Sequence, residues 1–295
     1  MTRLFTGLLA ALALTWSALP AAAQPAPELQ RLGETAWLLS GRSGNVIMVP
    51  GDRGILLIDD QRGSEMEAML AAANSLAAGP VSLVINTHWH LDHAGGNAGF
   101  GEAGAVIVAH RNVRERLAAD QFMAAYNRTV PASPAIALPT VVYDSEMDIH
   151  FGAETVRLRH TPMAHTDGDS LVYLEAANVL HMGDVFFNGL FPFIDRSTGG
   201  SIQGLIRSVD VALSMSDENT RIVPSHGRLA TRADLQAYRD MLQDVRDRVQ
   251  AAMDRGETLE AVVAGDPAAA YRLQGDADRF VAAIFDSLAA AEGGS

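Results

Sequence analysis

The chain has 295 residues, with 22 basic and 35 acidic side chains and a formal net charge of −13. A protein of that sign has no spare cations to displace the counterions of a phosphate polymer, so nucleic acid is not the expected partner. Every basic residue is Arg, and Cys is absent; this excludes lysine nucleophiles, Schiff bases, P-loop lysines, disulfides, thiol catalysis and thiolate metal ligands.

Arg3, the apolar stretch Leu4 to Leu19 (interrupted by Thr6, Gly7, Thr15 and Ser17) and Ala21-Ala22-Ala23 ahead of Gln24 form the pattern of a secretory signal peptide. Residues 1–23 are therefore expected to be removed and the mature protein exported, to the periplasm or the medium. The alternative is a short membrane anchor, but the run falls short of the roughly 20 residues a spanning helix needs and ends at Pro20. Cleavage removes Arg3 and no acid, so −13 becomes −14. The mature chain of about 270 residues suits one sizeable domain, alone or with an appendage, and none of its segments is expected to span a membrane.

Short β segments come first, at 36–39, 45–49 and 54–58, separated by turn signals at Ser43-Gly44 and Gly51-Asp52. Helical spacing of Met66, Met69, Leu70, Ala73 and Leu76 follows over 64–78, with Ser64 as a candidate cap and Gly79-Pro80 as the stop. The nearly continuous apolar run 81–86 is expected to be a strand buried on both faces. Residues 105–109 read as the next strand and 111–119 as a helix, so this half is α/β. Residues 120–139, with Pro131, Pro134 and Pro139, read as a surface excursion and a candidate lid. Strands are expected at 140–143, 147–151, 155–158, 170–174, 179–182 and 221–223. Helices are expected at 201–215, 232–255, 258–264 and 277–291.

The chemistry concentrates in His88-Trp89-His90-Leu91-Asp92-His93, directly after the buried strand. In extended backbone, residues two apart share a face, so His88 and His90 are expected to grip one metal together while Trp89 and Leu91 pack away. Asp92 and His93 lie where the chain must turn before Gly95-Gly96, and that turn can carry them to a second metal. Neutral imidazoles suit zinc, and a carboxylate is an acceptable further ligand. Three of the nine histidines and an Asp within six residues are hard to obtain by accident.

Thr87-His-Trp-His-Leu-Asp-His-Ala-Gly-Gly-Asn97 resembles the signature of the metallo-β-lactamase superfamily. Further elements follow the family's order: Asp59 after an apolar strand, His165 before Thr166, Asp184 after Gly183, and His226 before Gly227. The resemblance implies a four-layer α/β/β/α sandwich, where the pattern alone supports only α/β. It also implies a metallo-β-lactamase core over 24–230 and a C-terminal helical extension over 231–295 packed on it. By the same resemblance, His88, His90 and His165 hold the first metal. Asp92, His93 and His226 hold the second, Asp184 bridges the two, and Asp59 orients the ligand loop without touching metal. His110, His150, His160 and His181 match no motif position and are expected to be structural. A di-iron branch carries Glu where this chain has His90, so five imidazoles and two carboxylates favour two Zn²⁺ over manganese or iron.

The implied reaction is hydrolysis of a small-molecule carbonyl substrate by a metal-bridging hydroxide, with Asp92 as the catalytic residue that orients it and shuttles its proton. β-Lactam-type ring opening leads, with a lactonase or a thioesterase of glyoxalase II type as alternatives. Export disfavours the thioesterase, whose thiol conjugates are cytosolic. Phe187 stands where the lactamases carry a carboxylate-anchoring Lys, and Arg228 is a candidate substitute. Phe186, Phe187, Phe191 and Phe193 are either an apolar wall for substrate or packing beneath the C-terminal helices. A reading from another class is a non-catalytic periplasmic zinc-binding module. The sequence is silent on oligomeric state.

Overall fold

The computed structural model describes residues 29–293. The expected signal peptide at 1–23 lies outside them.

Two sheets face each other because each carries one apolar face that only the other can cover. The first begins with three antiparallel strands, β1 (Leu29–Leu32), β2 (Ala36–Ser40) and β3 (Asn45–Gly51), followed by β4 (Gly54–Ile58). The 3-10 turn Gly63–Glu65 and helix α1 (Met66–Ser75) then cross over to β5 (Val81–Asn86), which pairs parallel with β4. Ser64 does not cap α1: it sits inside the 3-10 turn, and Glu65 occupies the N-cap position without a side-chain bond. After β5 come two short helices, α2 (Leu91–Ala94) and α3 (Asn97–Glu102), then β6 (Val106–His110) and α4 (Arg111–Leu117).

Residues 120–139 are more regular than the prolines suggest. They form a hairpin of β7 (Gln121–Met123) and β8 (Arg128–Val130) around the left-handed Asn127 (φ 44°), then the 3-10 turn Ala135–Ala137. Strand β9 (Val141–Tyr143) completes the seven-stranded sheet, in the order β1-β2-β3-β4-β5-β6-β9.

The second sheet has five strands in sequence order: β10 (Glu146–Phe151), β11 (Glu154–His160), β12 (Ser170–Leu174), β13 (Val179–His181) and β14 (Arg221–Val223). Between β13 and β14 runs α5 (Ile202–Met215), capped by the Ser201 hydroxyl on the Gly204 amide. The chain ends in α6 (Arg232–Asp254), entered through a Thr231/Asp234 capping box, then α7 (Leu259–Ala264) and α8 (Ala277–Gly293).

The side chains confirm the four layers. One buried cluster joins Leu38, Ile47, Leu56 and Ile85 of the first sheet to Val156, Leu158, Val172 and Val223 of the second. The outer face of the first sheet packs on Met69 and Ala73 of α1 and on Phe100 of α3. The outer face of the second packs on Leu205 and Val209 of α5, Leu242 and Val245 of α6, and Phe280 and Ile284 of α8. The C-terminal helices thus share a core with β13 and β14. At roughly 1.5–3 kcal/mol per large buried side chain, their removal would strip that sheet face of its cover. Among the described residues, no helix is long and apolar enough to cross a membrane.

Candidate metal centre

The site forms where β5 leaves the sheet. Asn86, its last residue, donates through Nδ2 to the His93 carbonyl (3.0 Å) and accepts from Asn97 Nδ2 (2.9 Å), which folds residues 87–97 back over the strand end. Two glycines permit that tight return. A Cβ at Gly96 would stand 2.7 Å from the Asp60 carbonyl, and one at Gly95 would stand 2.3 Å from the Leu91 carbonyl. His88 and His90 come together in one donor set as expected, though not from an extended strand. The backbone bends through 87–90, and His88 meets His90 with different ring nitrogens, Nε2 against Nδ1, at 3.2 Å. Trp89 is buried as expected and Leu91 is half-buried, but both line the cavity above the site instead of packing away from it.

Hydrogen bonds on the outer side of each ring decide where its lone pair points. The Thr87 hydroxyl donates to Asp59 Oδ2 (2.9 Å), so it can only accept from His88 Nδ1 (3.1 Å), which frees His88 Nε2. His165 donates from Nδ1 to the Phe193 carbonyl (2.8 Å), freeing Nε2. His90 faces the other way: its Nε2 donates to Asp195 Oδ2 (3.0 Å), freeing Nδ1. The three freed nitrogens converge, with His90 Nδ1 also 2.9 Å from His165 Nε2. Lone pairs cannot hydrogen-bond to one another, and burial pushes His88 well below its ordinary pKa and His165 down to about 4, so near neutrality neither ring takes up a second proton on its freed nitrogen. Nitrogens held about 2.0–2.1 Å from a tetrahedral ion stand about 3.3 Å apart. The three rings have the spacing and the electron pairs that a cation requires.

A second group lies beside the first. His93 donates from Nδ1 to Asp59 Oδ2 (2.9 Å), leaving its Nε2 buried without a hydrogen-bond partner. Asp92 Oδ2 is 3.9 Å from that nitrogen and 3.6 Å from His226 Nε2. Asp184 spans the two groups. Its Oδ1 lies 3.2 Å from His93 Nε2 and 3.3 Å from His226 Nε2, and its Oδ2 lies 3.4 Å from His165 Nε2 and 3.9 Å from His88 Nε2. His88, His90, His165 and Asp184 form one set of donors that can hold a metal, and Asp92, His93 and His226 another. All seven sequence-predicted residues meet in one place. Burial lowers the pKa of His93, but Asp184, Asp59 and Asp92 outweigh it and hold it well above the ordinary value. His226 is raised in the same way, chiefly by Asp184 against burial. Burial pushes Asp184 up, but the surrounding imidazoles, His226 first, pull it well below the carboxylate range. Where no cation sits, protons on these rings supply the positive charge that Asp184 demands.

Asp59 serves both groups. Buried and held at φ 63°, it accepts from the Thr87 amide (2.8 Å), the Thr87 hydroxyl and His93. Four further residues of the site escape the sequence reading. Asp195 orients His90, accepts from the Thr198 hydroxyl (2.7 Å) and is held down at about 2 because these bonds outweigh its burial. Asp169 accepts from the Thr166 amide and hydroxyl (2.8 and 2.6 Å), shaping the turn after His165; burial pushes its carboxyl up to about 8. Arg62 and Arg128 line the cavity over the site, which has a volume of about 570 Å³. Arg228 is exposed and does not line that cavity.

The phenylalanines divide between the two roles. Phe187 and Phe193 line the cavity, with Phe187 stacked on His226 (5.4 Å between centroids). Phe186 packs on Tyr238 of α6 and Phe191 on Phe280 of α8. The remaining histidines stand apart from the centre. His150 is exposed, His110 and His160 stack on each other, and His181 accepts the Gly183 amide (3.1 Å), supporting the turn that presents Asp184.

The family model of the metallo-beta-lactamase superfamily matches residues 39–226, which hold every residue of the site. The chain belongs to the metallo-beta-lactamase superfamily. Among curated proteins it is similar to the 2,4-dinitroanisole O-demethylase subunit alpha of Nocardioides sp. (strain JS1661), 23% identical over 169 residues, or 56% of this chain and 48% of that one. The chain thus spans about half the length of that relative. Among solved structures it is similar to a metallo-beta-lactamase from Pontibacter korlensis, with TM-score 0.59 and 18% identity over 74% of this chain and 99% of that chain. It is also similar to the stereoselective inverting sec-alkylsulfatase Pisa1 from Pseudomonas sp., with TM-score 0.62 and 18% identity over 88% of this chain and 50% of that one. At these identities the structural likeness speaks for the shared fold.

Proposed function

We propose that this protein is an exported, binuclear zinc hydrolase acting on a small carbonyl substrate, with β-lactam-type ring opening the first reaction to test and lactone or other ester or amide cleavage next. One observation carries the reading: two sets of metal-ligating side chains, with four of their five imidazoles held from behind by hydrogen bonds, meet at a shared carboxylate, Asp184, in a cavity open to small molecules. His88, His90 and His165 would hold one ion and Asp92, His93 and His226 the other, with Asp184 between them. Five imidazoles with two carboxylates suit zinc. Bound there, a pair of such ions supplies Lewis acidity and brings the ionisation of water near neutrality.

The protein's own contribution is placement. Asp59 and Asp195 orient the His93 and His90 rings before any ligand arrives, so neither ring has to turn on binding. The Asp92 carboxylate lines the cavity and is partly exposed, which suits it to accept the proton of the attacking water and return it to the leaving group. Phe187 and Phe193 cover one side and displace water from around the substrate, which strengthens every electrostatic interaction at the reacting carbonyl.

The test is a side-by-side hydrolysis screen of the metal-loaded mature protein with nitrocefin, an acyl-homoserine lactone, a thioester and a phosphodiester. Turnover of at least one carbonyl substrate, lost together with metal in His90→Ala, is the expected outcome. Full activity in that variant contradicts the site, and stoichiometric zinc with no turnover anywhere on the panel points to a non-catalytic zinc-binding module.

A further inference from the structure

The cavity over the metal centre is lined by two chemistries. One is apolar, built by Phe187, Leu190 and Phe193 with Met123, Tyr126 and Val130 of the β7–β8 hairpin. The other is cationic. Arg128 reaches the cavity by hairpin register: Met123 pairs with Arg128 and Gln121 with Val130, so these four share one face, while Phe122 and Thr129 share the opposite face. Met123, Arg128 and Val130 all line the cavity, so the hairpin turns that face toward the metal centre. The hairpin is anchored at its tip. Tyr126 packs 5.3 Å from Phe193 and beneath the Arg279 guanidinium of α8 (4.8 Å), and the Ala124 amide donates to Ser197 Oγ (3.0 Å).

Arg62 arrives from the other side. The segment after β4 carries two left-handed residues, Asp59 (φ 63°) and Gln61 (φ 56°), and passes so close to Gly95 that a Cβ there would stand 3.0 Å from Arg62 Cα. That contorted path holds Arg62 beside the metal-site turn. Both arginines are exposed, and among the described residues neither guanidinium has a hydrogen-bond or ion-pair partner. Arg111, Arg116, Arg157 and Arg239 each sit on a carboxylate. Of the four charged residues that line the cavity, Asp92 and Asp184 belong to the metal centre, which leaves two guanidiniums without a carboxylate in a chain of net charge −13.

We propose that the cavity selects a substrate with an anionic group, a carboxylate, sulfonate or sulfate, on an apolar body. Arg62 and Arg128 take the anion, for which planar guanidiniums are the matched donors, and Phe187, Phe193 and Tyr126 take the body. This deepens the hydrolase reading and rests on the cavity being the place where substrate binds.

The test is calorimetric titration of the metal-loaded mature protein at low salt with 3-phenylpropane-1-sulfonate, a weak metal ligand, and with methyl 3-phenylpropyl sulfone, its neutral counterpart. The sulfonate is expected to bind at least about tenfold more tightly, with the advantage shrinking as salt rises. Arg62→Gln and Arg128→Gln should each weaken it about three- to fivefold, and the double variant should bring it to the level of the sulfone. Arg128→Lys, which keeps the charge, should retain most of the preference; its retention separates lost charge from a disturbed hairpin. Equal affinities for the two probes, or a preference that survives in the double variant, would overturn the proposal. Ester turnover without any anion preference would sink this inference and leave the hydrolase reading standing. Anion preference without turnover would do the reverse.

Discussion

Asp195→Asn is the sharpest perturbation of the site, because it alters one atom and the consequence can be followed bond by bond. In the native carboxylate, Oδ1 accepts the Ser197 amide (3.0 Å), while Oδ2 accepts His90 Nε2–H (3.0 Å) and the Thr198 hydroxyl (2.7 Å). All three partners donate, and an amide has only one oxygen. If that oxygen stays on Ser197, the new NH2 faces His90 and favours the tautomer in which Nε2 accepts. The His90 proton then moves to Nδ1, the nitrogen 3.2 Å from His88 Nε2 and 2.9 Å from His165 Nε2, and fills the position a cation would take. A hydrogen bond to a charged group is worth about 1.5–3 kcal/mol, which matches the 10–100-fold loss of metal affinity typical when a ligand's outer partner is removed. Chelator competition should therefore show one zinc equivalent weakened about 10–100-fold and the other changed far less. Affinities within twofold of wild type at both sites would refute the tautomer argument.

Three further outcomes follow from the same structure. His93 and His226 have raised pKa values, so metal-free protein keeps protons there to higher pH than free imidazoles do, and a cation must displace them. Apparent zinc affinity should rise with pH through and above 6.5, and calorimetry at pH 7 in buffers of different ionisation heat should show net proton release; zero release or uptake contradicts this. His110 and His160 stack at 3.6 Å and have lowered pKa values, burial being the main cause, so their contribution to stability is complete above 6.5 and is lost as pH falls below it. The stability gap between wild type and His160→Phe, measured by urea unfolding, should be widest near pH 8 and narrow toward pH 5. Glu154 is buried and accepts from the Thr35 hydroxyl and the amides of Thr155, Ala176 and Ala177 (2.6–3.1 Å). Glu154→Ala leaves those donors without their acceptor and should cost about 3 kcal/mol or more, read as a shift in the urea midpoint.

The metal centre was legible to the extent that its residues are bound to local pattern. His88 to His93 stand out because they crowd behind a run of buried apolar residues, and Asp59, His165, Asp184 and His226 because they follow in the order of the metallo-β-lactamase signature. Asp195, Asp169, Arg62 and Arg128 carry no such mark. Asp195 lies 105 positions from His90, and only the packing of the second sheet against the first brings them within 3.0 Å. The apolar pattern located β4, β5, β12 and β14 to the residue; the first three lie inside their sheets, where burial on both faces leaves few other choices. It missed β1 and the β7–β8 hairpin. The hairpin's strands are three residues long and owe their conformation to the left-handed Asn127 and to contacts with Phe193 and Ser197. The phenylalanine cluster offered two readings because both are true: consecutive residues Phe186 and Phe187 point to opposite sides, one to α6 and one to the cavity.

The central claim is that His88 Nε2, His90 Nδ1 and His165 Nε2 share one cation while His93 Nε2, His226 Nε2 and Asp92 share another. Anomalous diffraction from crystals of the zinc-loaded protein, collected on either side of the zinc edge, locates those ions directly. Two peaks are predicted, each about 2.0–2.2 Å from its three named ligands and both in reach of Asp184. No peak among these side chains, or a single peak on any other set of atoms, would contradict the account.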